Sequence, residues 1–302
     1  MRLHALVLLL CALYGSVFAF GKLTLEYAPP VFITAARMLL AGFLLLGYQF
    51  LFRRKHFILK TKHLWPMIVI GCTNVYLTNV LEYWGLQFME AGKACFIYSF
   101  SPIATAILSY LWFNEKVTLK KWMGLSIGVL GFIPILIVHS RAEDNSGYFL
   151  FLSYAELAIL GAAIATAIGW IVMRQVVKKH AYSSVMANGS SMLIGGTLAL
   201  IHSFIVEDWS PTPITDLEPF LGWFLLLTLI SNLIAYNLNT VLLRHYTATY
   251  LSFAGLSQPF FAALFGWIFL AEVMSSYFWL SVFAVSIGLY IYYQEELITK
   301  KN

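Results

Sequence analysis

The chain has 302 residues, of which 60% are hydrophobic and only 11% are charged, and its formal net charge is +5. A soluble globular domain carries about 25% charged residues, so this composition indicates an all-α polytopic membrane protein and excludes an ordinary soluble domain. The basic residues form no stripe with interleaved aromatic residues, which argues against a nucleic-acid partner.

Ten apolar stretches are long enough to cross a bilayer as helices, which takes about 20 residues each. We interpret the first as a membrane span rather than a signal peptide, because its apolar run is long and no clear cleavage site follows. The predicted spans are 3–20, 30–52, 64–84, 92–112, 122–139, 151–173, 183–205, 219–240, 249–270 and 277–294.

The connection at 140–150 has five predicted spans before it and five after it. We therefore divide the chain into a first five-helix repeat of residues 3–139, an outer connecting loop, a second repeat of residues 151–294, and a cytoplasmic tail of residues 295–302. Because each half has an odd number of spans, the second half enters the membrane from the opposite side. This is the inverted-repeat topology of many secondary transporters.

Lysine and arginine are distributed unevenly over the predicted connections. With the N-terminus inside, only Lys22, Lys93 and Arg141 fall in outer segments and Arg37 falls within a span. The other 15 of the 19 basic residues then lie inside. Cytoplasmic loops carry an excess of lysine and arginine, so we predict that both termini are cytoplasmic.

An internal repeat relates the two halves at a shift of 157 residues. It places Pro102 on Pro259, Glu115 on Glu272 and Trp122 on Trp279, and the recurrence of rare residues at one spacing indicates a true repeat. Each proline lies inside an apolar run, where it interrupts a helix. Paired, proline-interrupted spans in two halves point to a transporter's binding site; the alternative for one proline alone is a packing kink.

These residues resemble the drug/metabolite transporter superfamily, EamA branch, over nearly the whole chain. The carrying features are the small residues before a central proline with a glutamate 13 residues later, present in both halves. The start of the chain adds Tyr14, Gly15, Lys22, Pro29, Pro30 and Arg37. The second half departs from this pattern, since Ser190 stands where Arg37 would map.

The resemblance implies transport of amino acids, drugs, nucleotide sugars or other metabolites. Some transporters of this type in intracellular bacteria are similar enough to suggest S-adenosylmethionine as one candidate substrate among several.

Ionisable side chains inside membrane spans are costly and are candidates for function. Four stand out: Arg37, Glu82, Lys93 and Glu156. A snorkelling side chain is the alternative for Lys93, and an interfacial position is the alternative for the two glutamates. Arg37 either pairs with one of these glutamates or receives a substrate carboxylate.

Uncharged polar and aromatic residues complete the predicted binding site. Asn79 lies three residues before Glu82, on the same helical face, and Asn239 maps onto Glu82 under the shift of 157. Aromatic faces would suit an ammonium or sulfonium substrate, whereas interhelical hydrogen bonding is the alternative for each asparagine. The substrate-binding candidates are Arg37, Asn79, Glu82, Tyr98, Glu156, Trp170, Asn188, Asn239 and Gln258, with Pro102 and Pro259 as helix-break candidates.

The sequence contains no hydrolase, metalloprotease or phosphate-loop motif, and its three cysteines lie in apolar spans without metal-ligand spacing. We therefore predict no enzyme activity, cofactor or metal. The prediction is an inner-membrane secondary transporter that moves a small polar metabolite, amino-acid-like or nucleoside-like, by alternating access. A coupling ion or a counter-substrate would supply the driving force. The alternatives are a multidrug exporter of the same fold and, from another class, a membrane enzyme or scaffold; direction and oligomeric state stay open.

Overall fold

The computed structural model describes residues 2–57, 61–113, 118–137, 141–246 and 248–301. Within them, eight helices are long and apolar enough to cross a membrane: Ala5–Leu25, Pro30–Phe52, Leu64–Leu86, Ala91–Leu108, Leu119–Leu136, Tyr154–Lys178, Ser184–Val206 and Leu217–His245. The last two predicted spans correspond to shorter apolar helices, Gly255–Leu270 and Ser276–Tyr292. The predicted class, a polytopic α-helical membrane protein, is confirmed.

Where the structure describes the first half of the chain, it contains eight α-helices, several of them separated by short interruptions. They are α1 (Arg2–Leu25), α2 (Pro30–Phe52), α3 (Leu64–Ile70), α4 (Thr78–Leu86), α5 (Ala91–Tyr98), α6 (Ser101–Phe113), α7 (Leu119–Gly131) and α8 (Ile133–Leu136). Short 3₁₀ turns cover Arg54–His56 and Thr61–His63. Helix α2 begins with proline, whose missing N–H group needs no partner at the first helical position.

The connection between the halves, predicted as a loop over 140–150, contains short regular elements. Helix α9 (Arg141–Asp144) leads into a two-stranded antiparallel ribbon of β1 (Tyr148–Phe149) and β2 (Leu152–Ser153). Gly147 makes the turn before β1 with a φ of +83°, a conformation open to glycine. The ribbon delivers the chain directly to the next helix.

The second half repeats the same order of long and interrupted helices. It consists of α10 (Tyr154–Lys178), α11 (Ser184–Val206), α12 (Leu217–Leu227), α13 (Tyr236–His245), α14 (Ala248–Ala254), α15 (Gln258–Leu270) and α16 (Ser276–Lys301). Helix α16 continues through the residues that we predicted as a tail, as far as residue 301.

Helix interruptions occur at matching positions of the two halves. A π-helical segment joins α3 to α4 over Gly71–Leu77, and another joins α12 to α13 over Thr228–Ala235, so their first residues are 157 apart. Such wide turns are frequent at functional sites. Because the interruptions follow the shift seen in the sequence, they support the division into two repeats.

The proline-containing spans are also interrupted in both halves. Helix α5 ends before Pro102, which is the second residue of α6, and a 3₁₀ turn over Gly255–Ser257 precedes Pro259, the second residue of α15. At this position a proline removes no needed hydrogen-bond donor. The glutamate of the first repeat copy, Glu115, lies outside the described residues.

Helices of one half pack mainly on helices of the other. Helix α2 runs along α11, α7 along α16, α1 along α15, and α10 along α4. Glycines let the backbones of α7 and α16 approach closely, since the Cβ position of Gly124 lies 2.6 Å from the carbonyl oxygen of Gly288. Small residues at such contacts are typical of helices packed within membranes. This cross-packing brings residues of both halves to the centre of the bundle.

Candidate functional site

A small, partly enclosed cavity lies between the two halves. Its walls come from both halves: Tyr14, Val17, Phe18, Asn74, Thr78, Asn79, Glu82, Tyr98, Trp170, Ser231, Tyr236 and Gln258. Under the shift of 157, Asn74 corresponds to Ser231 and Asn79 corresponds to Tyr236. The cavity therefore lies where equivalent residues of the two repeats face each other.

Aromatic rings form much of the cavity wall. Tyr14 stacks on Trp170 with a centroid separation of 6.4 Å, and it meets the ring of Tyr236 edge-on at 6.4 Å. Phe18 meets Tyr98 edge-on at 5.7 Å. Aromatic faces attract cations, by about 0.5–2 kcal/mol depending on desolvation. The wall is thus suited to a cationic or aromatic ligand.

Glu82 is the only charged residue among the described lining residues. It lies on α4 with 7% of its surface exposed. Its carboxylate forms no hydrogen bond or ion pair with another described side chain. Ionisable groups buried inside a membrane are costly and are candidates for function. Glu82 is therefore the ionisable group that the described cavity wall presents to a ligand.

Arg37, on α2, lies beside the cavity and not in its lining. It is 1% exposed, donates a hydrogen bond to the side-chain oxygen of Asn79, and lies 4.5 Å from the ring centroid of Tyr83. Its Nε and Nη1 atoms have no hydrogen-bond partner among the described residues. Of the pairings that the sequence left open, neither an ion pair with Glu82 nor one with Glu156 is present in the described part of the chain.

Asn79 links Arg37 to the second half of the chain. The Asn79 Nδ2 atom donates to the Tyr236 hydroxyl at 3.1 Å. That hydroxyl donates in turn to the backbone oxygen of Asn74, at 3.2 Å, within the π-helical segment. The relay joins α2, α4 and α13 and fixes the Asn79 amide at the cavity wall.

Two further predicted residues lie in the wall and belong to separate contacts. The Tyr98 hydroxyl hydrogen-bonds Thr166 of α10, and Thr166 lies 3.0 Å from the hydroxyl of Thr78. Gln258 is the first residue of α15 and is 7% exposed. Asn79, Glu82 and Trp170 also line the cavity, so five of the nine substrate-binding candidates lie in its wall.

Glu156 lies at the start of α10, outside the cavity lining. It caps that helix, with its backbone N–H bonded to Ser153 and its carboxylate accepting from the Ser153 N–H at 2.9 Å. Lys93 lies between Glu156, at 3.0 Å, and Glu143, at 2.9 Å. Since Lys93 is only 5% exposed, it is a buried ion-pair partner and does not snorkel.

Asn188 and Asn239 are also outside the lining. Asn188 donates to the Asn237 side chain at 3.1 Å and accepts from the Thr240 hydroxyl at 3.1 Å, which links α11 to α13. Asn239 is buried, and its Oδ1 atom has no hydrogen-bond partner among the described residues. Pro102 and Pro259 set the interrupted helices and form no part of the wall.

Sequence reasoning did not select Tyr14, Phe18, Thr78, Ser231 or Tyr236 for the site. The repeat contained a signal for two of them, because the shift of 157 maps Asn79 onto Tyr236 and Asn74 onto Ser231. Tyr14 reaches the wall because Gly15 beside it allows close contact with α15. A Cβ atom at Gly15 would lie 2.8 Å from the backbone oxygen of Gln258.

An ion pair joins the end of α1 to the connection between α15 and α16. Lys22 donates to the Glu272 carboxylate and to the backbone oxygen of Met89, both at 2.7 Å. Glu272 also accepts from the Ala91 N–H at 2.9 Å. Ala271, with a φ of +52°, ends α15 and turns the chain so that Glu272 can reach these partners. The contact joins the end of α1 to the α4–α5 and α15–α16 connections.

A helical membrane bundle with two related halves and a polar, aromatic cavity between them has the architecture of a membrane transporter. The EamA-like transporter family matches residues 1–137 and 153–294. The chain belongs to this family, which confirms the resemblance drawn from the repeat. It is a multi-pass membrane transporter of a small molecule and not an enzyme.

Similar proteins extend over nearly the full chain. A protein of Chlamydia muridarum named S-adenosylmethionine/S-adenosylhomocysteine transporter is 38% identical over 96% of this chain and 91% of its own length. A protein of the same name from Chlamydia trachomatis serovar D is 36% identical over 96% of this chain and 89% of its own. A protein of known crystal structure shares the fold, with a TM-score of 0.69 at 14% identity, covering 95% of this chain and 94% of that one.

Proposed function

We propose that this chain carries S-adenosylmethionine across a bacterial inner membrane and exchanges it for S-adenosylhomocysteine. The observation that carries the proposal is the sequence identity of 38%, over 96% of this chain, to a transporter named for these two compounds. In such an exchange, the outward movement of S-adenosylhomocysteine alone would drive the uptake of S-adenosylmethionine. The chemistry of the cavity supports the same substrates.

S-adenosylmethionine has a sulfonium, an ammonium, a carboxylate and an adenine ring. The carboxylate of Glu82 would receive a cationic group of the substrate, and the rings of Tyr14, Trp170 and Tyr236 would lie against the sulfonium or the adenine. Cation–aromatic attraction and ring stacking both fit such a ligand. Asn79 and Gln258 would hydrogen-bond its polar edges.

For the topology, we propose ten spans arranged as two inverted five-helix repeats, with both termini in the cytoplasm. The support is the unequal distribution of lysine and arginine and the helix interruptions that recur in both halves. In this arrangement the cavity lies between the two repeats, where alternating access would need the substrate site. The Lys22–Glu272 contact then closes the outer end.

The test is uptake of labelled S-adenosylmethionine by cells that express the chain, with insertion verified by membrane fractionation. We expect uptake above that of cells carrying an empty vector, and competition by unlabelled S-adenosylhomocysteine but not by free amino acids or nucleosides. Cells preloaded with S-adenosylhomocysteine should take up label faster if exchange operates. Background uptake by an inserted protein would exclude this substrate.

A multidrug exporter is the second candidate, because an aromatic wall with a single acid also suits hydrophobic cations. The polar residues Asn74, Asn79 and Gln258 in the same wall favour a polar metabolite instead. Dye efflux separates the two functions: an exporter lowers the accumulation of a cationic dye in the cell, whereas a dedicated metabolite carrier leaves it unchanged.

The Lys22–Glu272 contact should hold the outer end shut. Lys22→Met removes the ion pair, and since a partly exposed pair contributes about 0.5–1 kcal/mol, the open population should rise about two- to fivefold. The readout is labelling of a reporter cysteine, Thr78→Cys, by a membrane-impermeant maleimide added from outside. The reporter is placed in a chain whose native cysteines are serine.

Two further variants control this measurement. Lys22→Arg retains the charge and should label at the rate of the parent. The exchanged pair, Lys22→Glu with Glu272→Lys, restores opposite charges and should label more slowly than either single reversal. Equal labelling rates in Lys22→Met and the parent would show that the ion pair does not control access.

A further inference from the structure

We infer that Arg37 sets the charge selectivity of the site. Its positive charge balances the negative charge of Glu82, so that the site accepts both a substrate with a positively charged sulfur and one with a neutral sulfur. This inference rests on the proposed function, since it concerns the two compounds that the carrier would exchange. At neutral pH S-adenosylmethionine has a net charge of +1 from its sulfonium. S-adenosylhomocysteine has a neutral thioether in its place and no net charge.

The position of Arg37 relative to Glu82 is fixed by the residues it contacts. Its guanidinium bonds to Asn79 and lies over the ring of Tyr83, and these two residues lie before and after Glu82 on α4. Residues three and four apart share a helical face. The positive group therefore lies along the same turn of α4 as the carboxylate, without forming an ion pair with it.

Arg37 is held in place by few contacts for a buried cation. It is 1% exposed, and two of its three nitrogens have no hydrogen-bond partner among the described residues. A purely structural arginine would be expected to use its fork of donors. Its charge remains effective at Glu82 because fields between buried groups are weakly screened.

Glu82 and Arg37 together give the site no net charge. Such a site does not strongly prefer a monocation to a neutral zwitterion, which an exchanger of these two compounds requires. Removing Arg37 leaves a net negative site that should favour the sulfonium compound. Removing the charge of Glu82 leaves a net positive site that should favour the thioether.

The size of the effect follows from Coulomb's law. One buried charge acting on another over about a helical turn or two, at an effective dielectric constant near 20, is strong enough to change relative affinity about tenfold. We therefore expect Arg37→Gln to raise the ratio of S-adenosylmethionine to S-adenosylhomocysteine uptake about tenfold. Glu82→Gln should lower the same ratio.

The experiment measures initial uptake rates of both labelled compounds in cells expressing the full chain. The variants are Arg37→Gln, Arg37→Lys and Glu82→Gln, and Arg53→Gln is the matched control because Arg53 lies exposed beyond the far end of α2. Arg37→Lys retains the charge and should keep the ratio near that of the parent. A merely structural role would lower both rates together and leave the ratio unchanged.

A second variant guards against an Arg37→Gln protein that does not insert. Asn79→Asp retains Arg37 and adds a negative charge beside it, so it should shift the ratio in the direction of Arg37→Gln. The inference would be overturned if the uptake ratios did not change, or if Arg37→Gln and Glu82→Gln shifted the ratio in the same direction. Either result would leave the proposed substrates unaffected. A parent chain that moves neither compound would instead overturn the proposed function, and the inference with it.

Discussion

Glu82→Gln is expected to reduce S-adenosylmethionine uptake to about a tenth of that of the parent chain or less, with the protein still inserted. Losing one partner of a buried charge pair costs about 2–5 kcal/mol, and every 1.4 kcal/mol is about a tenfold change in affinity. Glu82 supplies the only charge among the described lining residues, so the substrate cation would lose its partner. The measurement is the initial rate of labelled uptake per inserted molecule.

The matched control for this prediction is Glu218→Gln. Glu218 lies exposed in the first turn of α12, so the same chemical change there should leave uptake near the parent value. The melting temperature of purified Glu82→Gln is measured alongside, because the change leaves the buried Arg37 without a nearby negative charge. Uptake near the parent rate in Glu82→Gln would remove Glu82 from the proposed site.

The repeat made the architecture predictable from the sequence. A shift of 157 residues related Pro102 to Pro259, and helix interruptions follow the same shift in the structure. Predicted spans agree with the observed helices to within a few residues at most ends. The π-helical segments were not predicted, because no local sequence signal marks the wider turn; the first segment packs on α10 and α11, and the second packs on α1 and α2.

The site was predictable where a side chain's role follows from its own helix. Asn79 and Glu82 share a face of α4, and both line the cavity. The position of Tyr14 in the cavity wall depends on how closely α1 packs on α15, and the sequence of α1 alone does not reveal that distance. The wall therefore contains aromatic residues that no spacing rule along one helix would select.

Glu156 shows how an ionisable residue can look functional from sequence and still have a structural contact. Its depth in a predicted span suggested substrate binding, but the structure places it at the start of α10 with Ser153 and Lys93. The spacing of Ser153 and Glu156 is the signature of a helix capping box. That local pattern was the available signal for a structural position.

The contact between α7 and α16 should be the most sensitive packing site in the described part of the chain. A Cβ atom at Gly288 would lie 2.7 Å from the backbone oxygen of Gly124 and closer still to the backbone nitrogen of Gly128. Backbone atoms cannot rotate away as a side chain can, so any side chain at position 288 must push the two helices apart. Overpacking of this kind typically costs about 1–3 kcal/mol and occasionally more.

Gly288→Leu is therefore expected to lower the melting temperature of the purified protein by about 2–10 °C, from about 1–3 kcal/mol of overpacking at about 2–4 °C per kcal/mol. The control is Gly222→Leu in α12, because the Cβ position of Gly222 has no atom within 4 Å. Leucine also favours the helix over glycine there, so the control should melt no lower than the parent. Equal melting of both variants would mean that the α7–α16 contact adjusts, and that its glycines are not required for the two halves to pack.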